Sequence, residues 1–119
     1  MPTQMYPAPS RETEALRREL APAPLKAFHE FSRQVFADGA LDGRIKQLIA
    51  VAVAHTTQCP YCIRGHTAAA LKAGASREQI MEAIWVAAEM RAGGAYAHSA
   101  LALEAMHEFA AKSPDAEPR

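Results

Sequence analysis

Alanine fills 27 of the 119 positions, and prolines and glycines cut the alanine-rich stretches into lengths of one helix each. Alanine is the strongest helix former and lets helices approach one another closely. Residues 1–10 hold Pro2, Pro7 and Pro9 and read as an irregular arm. Arg11–Leu20 reads as a short charged helix, ended by Pro22 and Pro24. Pro24 suits the first turn of a second helix, with Leu25, Phe28, Phe31 and Val35 as its apolar stripe and Gly39 as its break. Asp42 caps a third helix running to about Thr57. Ala50–Ala54 alternates as a strand does, but segment length, alanine content and the lack of a pairing partner favour helix. This segment is apolar on most faces, the pattern of a buried helix, and in so small a chain such burial calls for another subunit. A fourth helix is expected from Pro60 to Gly74, a fifth from the Ser76–Gln79 capping box to Gly93–Gly94. A sixth runs from about Ala95 to Lys112, with Leu101, Ala105 and Phe109 on one stripe. The expected fold is an all-α, single-domain bundle of about six helices. It divides into an arm and short helix at 1–22, a helical domain at 23–112 and a polar tail at 113–119.

Charge and hydropathy remove several function classes. Thirteen basic residues balance 13 acidic ones, so the chain lacks the electrostatic footprint of a nucleic-acid binder. Its longest apolar run, Leu48–Ala54, is far too short to cross a bilayer, and no membrane association is expected. Met1–Ala8 carries neither a charged n-region nor an apolar h-region, which makes the cytoplasm the expected compartment. Two cysteines are too few for a disulfide scaffold, but they leave redox or metal chemistry open.

Those cysteines lie in the stretch TQCPYCIRGH, Thr57–His66. With Pro60 as the first helical residue, Cys59 takes the N-cap and Cys62 the first turn. Both sulfurs then face unsatisfied backbone N–H groups and the positive end of the helix dipole. Cysteines in such C-x-x-C settings have pKa values of roughly 3.5 to 7.5 and can close into a disulfide. His66 follows Cys62 by four residues and Cys59 by seven, on the same helix face, where an imidazole can take or return a proton. A zinc site is the competing reading: Cys59, Cys62 and His66 supply three ligands, and His55 or His98 a fourth. No second clustered ligand pair accompanies them. Tyr61, between the cysteines, either shapes access or caps the pocket. His98, just past the Gly93–Gly94 pair, is the best second histidine for the site, and His55 lies one turn before Cys59. His29 and His107 read as surface residues, and Met81, Trp85 and Met90 as core. No phosphate loop, dinucleotide fingerprint or haem-attachment motif is present, so the thiols themselves are the expected redox centre, without a further cofactor.

Lys46–His66 (KQLIAVAVAHTTQCPYCIRGH) and Gly74–Gly94 resemble the carboxymuconolactone decarboxylase family, on its AhpD-like alkylhydroperoxidase branch. The resemblance spans roughly Phe28 to Phe109. Its most specific element is a family pattern of Glu, eleven residues, then C-x-x-C-x-x-x-H, which Cys59, Cys62 and His66 match. The Glu position falls on Gln47, a departure. The resemblance implies that Cys62 attacks peroxide, that Cys59 donates a proton and resolves the product to a disulfide, and that His66 is the base. Gln47 can hydrogen-bond the imidazole but supplies no charge, which disfavours peroxidase turnover more than disulfide exchange. The implied substrate is a small hydroperoxide or a protein disulfide, and the implied reductant a dithiol such as a dihydrolipoyl protein or a peroxiredoxin partner. The resemblance also implies a homo-oligomer, a trimer or a hexamer built as a trimer of dimers. Two other readings share the fold: a non-catalytic redox switch or zinc-binding protein, and a cofactorless decarboxylase-like enzyme acting on a small organic acid.

Overall fold

Ser10 opens the first helix of the computed structural model by accepting a hydrogen bond from the backbone N–H of Thr13 at 3.1 Å. Helix α1 then runs Arg11–Leu20, with Glu12 and Glu14 in its first turn and Arg17 and Arg18 in its last, each complementing the helix dipole. The structure describes residues 5–112. The expected tail and the first four residues of the expected arm lie outside the described residues. Helix α2, Pro22–Phe36, takes both prolines into its first turn, where a missing N–H has no consequence. Helix α3, Gly43–Thr57, starts at Asp42, whose carboxylate accepts from the Ile45 N–H at 2.9 Å. Helix α4, Pro60–Lys72, starts at Cys59. Gly74, at φ +96°, closes α4 in a backbone region open to glycine. Helix α5 follows from the reciprocal Ser76–Gln79 capping box, with hydrogen bonds of 3.0 and 2.9 Å.

The expected break at Gly93–Gly94 does not occur. Helix α5 is continuous over Arg77–Lys112, so among the described residues five helices replace the expected six. The physical reason lies downstream of the glycines. After Gly74 a capping box starts a new helix, whereas after Gly94 the chain reads Ala95, Tyr96, Ala97, with no capping side chain to restart one. Two glycines cost roughly 1 kcal/mol each relative to alanine, and long runs of good helix formers on both sides outweigh that. All the described regular structure is helical, as expected.

Helices α3 and α4 form an antiparallel hairpin, and the first turns of α5 pack along α3. The core between them is Val51, Ala70, Ala75 and Ile80, flanked by Leu48 and Ile84. That core is small for 119 residues. The Cα radius of gyration is 21.7 Å, against roughly 13 to 14 Å for a compact chain of this length. The extent along the long axis is 67 Å, because α5 beyond Gly94 runs clear of the other helices. Met81, Trp85 and Met90, expected as core, are instead exposed, because α5 turns its Ile80, Ile84 and Ala87 face to α3; Tyr96, Leu101, Leu103, Met106 and Phe109 are exposed as well.

Candidate active site

A single left-handed residue sets up the site. Gln58, at φ 59° and ψ 48°, ends α3 and is the one non-glycine at positive φ among the described residues. Its turn folds the Cys59 N–H back onto the Ala54 carbonyl at 3.2 Å and lets α4 start at Pro60. A glutamine there costs on the order of 1 kcal/mol in backbone strain. Cys59 is the N-cap, as its place before Pro60 predicts, and its sulfur accepts from the Cys62 N–H at 3.3 Å. Cys59 and Cys62 are joined as a disulfide, with Cα atoms 5.2 Å apart. Both are half-buried.

One turn further along α4, His66 reaches across to α3. Its Nδ1–H donates to Gln47 Oε1 at 2.8 Å. That bond holds the neutral ring with its proton on Nδ1 and leaves the Nε2 lone pair to accept another. Phe36, the last residue of α2, stacks on the imidazole with centroids 5.1 Å apart and planes at 25°. The ring is thus fixed by a polar partner at one edge and an aromatic face.

Cys62 and His66 share one wall of a cleft of about 390 Å³. The opposite walls are apolar: Val35 and Phe36 from α2, and Ile49, Ala50, Val53 and Ala54 from α3. Lys46 and Thr57 lie at the two ends of the α3 stripe. Of the two cysteines, Cys62 is the one that lines this cleft, beside the candidate base. The arrangement can present a sulfur to a small apolar molecule next to a proton acceptor held in one tautomer.

The other candidate residues stand elsewhere. Tyr61 points away from the cleft and meets Tyr6 of the arm edge-on, with centroids 6.0 Å apart. His98 bonds back to the Gly94 carbonyl of its own helix at 2.7 Å and shares a surface depression with Thr56, Met90 and Arg91, apart from the cysteines. His55 likewise bonds to the Val51 carbonyl one turn back, at 2.8 Å. Among the described residues no group of three or more histidine, cysteine or acidic side chains is gathered as a metal site, so the zinc reading gains no ligand cage. Sequence reasoning passed over three residues of the site: Gln58, Phe36 and Lys46. Lys46 was readable, since Lys46, Ile49, Ala50, Val53, Ala54 and Thr57 recur at helical spacing. For Phe36 and Gln58 no local signal exists.

The same architecture occurs in known proteins. The chain is 68% identical over 83 residues to an uncharacterized protein 4 in the cox locus of Paracoccus denitrificans, covering 70% of this chain and 75% of that one. Its fold matches a crystal structure of a carboxymuconolactone decarboxylase family protein from Legionella pneumophila with a TM-score of 0.65 and 37% identity, covering 82% of this chain and 88% of that one. A family protein of Thermotoga maritima, described as a candidate for the antioxidative response, matches with a TM-score of 0.51 and 26% identity over 68% of this chain and 93% of that one. The family model itself spans residues 22–105, from the first turn of α2 into the distal half of α5. On that match, and with this hairpin, disulfide and helix arrangement, the chain belongs to the carboxymuconolactone decarboxylase family.

Proposed function

We propose that the protein is a thiol-dependent antioxidant enzyme of AhpD-like type, an alkylhydroperoxidase and disulfide reductase with Cys62 as nucleophile. The observation that carries this reading is the cleft in which Cys62 stands beside a histidine whose free Nε2 is set by the Gln47 bond. In the reduced protein His66 takes the Cys62 proton. The thiolate attacks the outer oxygen of a hydroperoxide, the O–O bond breaks, and the alkoxide leaves as an alcohol with the Cys59 proton. Cys59 thiolate then displaces hydroxide from the Cys62 sulfenic acid, forming the Cys59–Cys62 bond, and the His66 proton completes water. With a disulfide substrate, Cys62 forms a mixed disulfide that Cys59 resolves, and two thiols leave. An external dithiol, carried by a dihydrolipoyl or peroxiredoxin partner, reduces the pair and is itself oxidised.

The antioxidative description of the Thermotoga maritima relative supports this class of reaction. The neutral Gln47 weights it toward disulfide exchange, because thiolates leave without a proton, whereas peroxide turnover ends on the proton of an imidazolium to which Gln47 brings no charge. The reading places the enzyme in the cytoplasm, where dithiol reductants are maintained. It also takes the protein to be a homo-oligomer, a trimer or hexamer, in keeping with its exposed apolar helix faces. The test is pH-dependent alkylation of each cysteine in the reduced protein, read by mass spectrometry. Cys62 should react well below the free-cysteine value of about 8.5. His66→Ala should move that reaction to higher pH, and Cys62→Ser should abolish thiol-dependent turnover. A Cys62 that reacts as an ordinary thiol in both proteins would refute the assignment.

A further inference from the structure

The cleft beside Cys62 holds a cation without a counter-ion. Lys46 is half-buried at the start of α3, and its ammonium donates to the Ala37 carbonyl at 2.5 Å, beside Gly39. No carboxylate lies within ion-pair distance of it among the described residues; what sets Lys46 apart from other such cations is its place at the end of an apolar cleft. One backbone carbonyl occupies a single N–H and leaves the charge unneutralised. A positive charge at the end of an apolar cleft attracts an anion more strongly than the same charge in open water. The α3 wall of the cleft runs from Lys46 through Ile49, Ala50, Val53 and Ala54 to Thr57, a length of roughly 16 Å at 1.5 Å per residue. Its surface is almost wholly hydrocarbon, and Cys62 and His66 stand along it.

We infer that this cleft binds an alkyl carboxylate of medium chain length, its carboxylate on Lys46 and its hydrocarbon along Ile49 and Val53 toward Cys62. This deepens the proposed function by naming the class of its substrate: an amphiphilic organic acid whose peroxide or disulfide group lies along the chain. Lys46 is then a specificity-determining residue, and it selects against neutral molecules of the same shape.

Binding can be measured without any thiol chemistry, so that failure here is separate from failure of the enzyme reading. The probes are octanoate and octanamide, titrated calorimetrically into the oxidised 119-residue protein. They share one chain and differ in charge. Octanoate should bind about tenfold more tightly, the equivalent of roughly 1.4 kcal/mol, and the preference should shrink as salt is raised. Lys46→Gln, which keeps a donor for the Ala37 carbonyl, should bring the two affinities together, and Lys46→Arg should preserve the difference. Equal binding of the two probes to the wild-type protein, binding of neither, or a preference that survives in Lys46→Gln would each overturn the inference.

Discussion

A glutamine at position 47 holds the His66 ring by its Nδ1 hydrogen at 2.8 Å but brings no charge to it. Orientation and tautomer are therefore provided, while among the described residues no carboxylate stands within ion-pair distance of the imidazolium that forms during proton transfer. Gln47→Glu keeps the length and the hydrogen-bonding oxygen and restores the charge. If imidazolium formation limits peroxide turnover, that variant should raise the peroxidase rate by about tenfold, a change of roughly 1.4 kcal/mol in the barrier. Steady-state assays with a hydroperoxide and a dithiol reductant decide it, and an unchanged rate would show that the charge at position 47 is not limiting. The legibility of the site follows the same geometry. Cys59, Cys62 and His66 are readable because they lie within eight residues on one helix, where sequence spacing is spatial spacing. The Gln47 contact crosses between helices, and it was visible only through the family pattern. Phe36 comes from a third helix and Gln58 from a glutamine in a conformation glutamine rarely takes, so neither leaves a mark in the sequence.

Element boundaries were readable wherever a stop signal and a start signal coincide. Asp42, Cys59–Pro60 and Ser76–Gln79 each begin a helix at the expected residue, because a capping group satisfies the free N–H groups there. Gly93–Gly94 has no such partner signal, and α5 passes through it. The two kinds of glycine should respond oppositely to the same substitution. Gly74 holds a left-handed conformation, so Gly74→Ala should cost about 1–2 kcal/mol. Gly94 lies in mid-helix with open space where a Cβ would stand, so Gly94→Ala should add about 1 kcal/mol. Thermal unfolding of the two variants against wild type measures both. A Gly94→Ala protein that loses stability would mean that a second chain packs its backbone against that position in solution.

On the scale of the whole molecule, many large apolar side chains of the described residues stand exposed. Trp85 is 68% exposed and Leu101 and Phe109 each 62%, while among the described residues six hydrophobic residues are buried. The apolar third helix already pointed to burial by another subunit. The projection of α5 could not be foreseen, since it depends on the helix continuing past Gly94. Beyond that residue α5 is apolar on more than one side and almost wholly exposed, and a helix of that kind is stable when it lies inside an assembly. Covering Leu101 and Phe109 would contribute about 1.5–3 kcal/mol each. Light scattering at micromolar concentration should therefore give three or six times the 12.9 kDa chain mass. Leu101→Glu with Phe109→Glu places two charges on that stripe and should shift the population to smaller species, with a matching loss of thermal stability. A wild-type protein that scatters as a monomer would contradict the assembly. A double variant that keeps the wild-type mass would show instead that the distal half of α5 lies outside the contact, leaving the first half of α5, with Trp85, to form it.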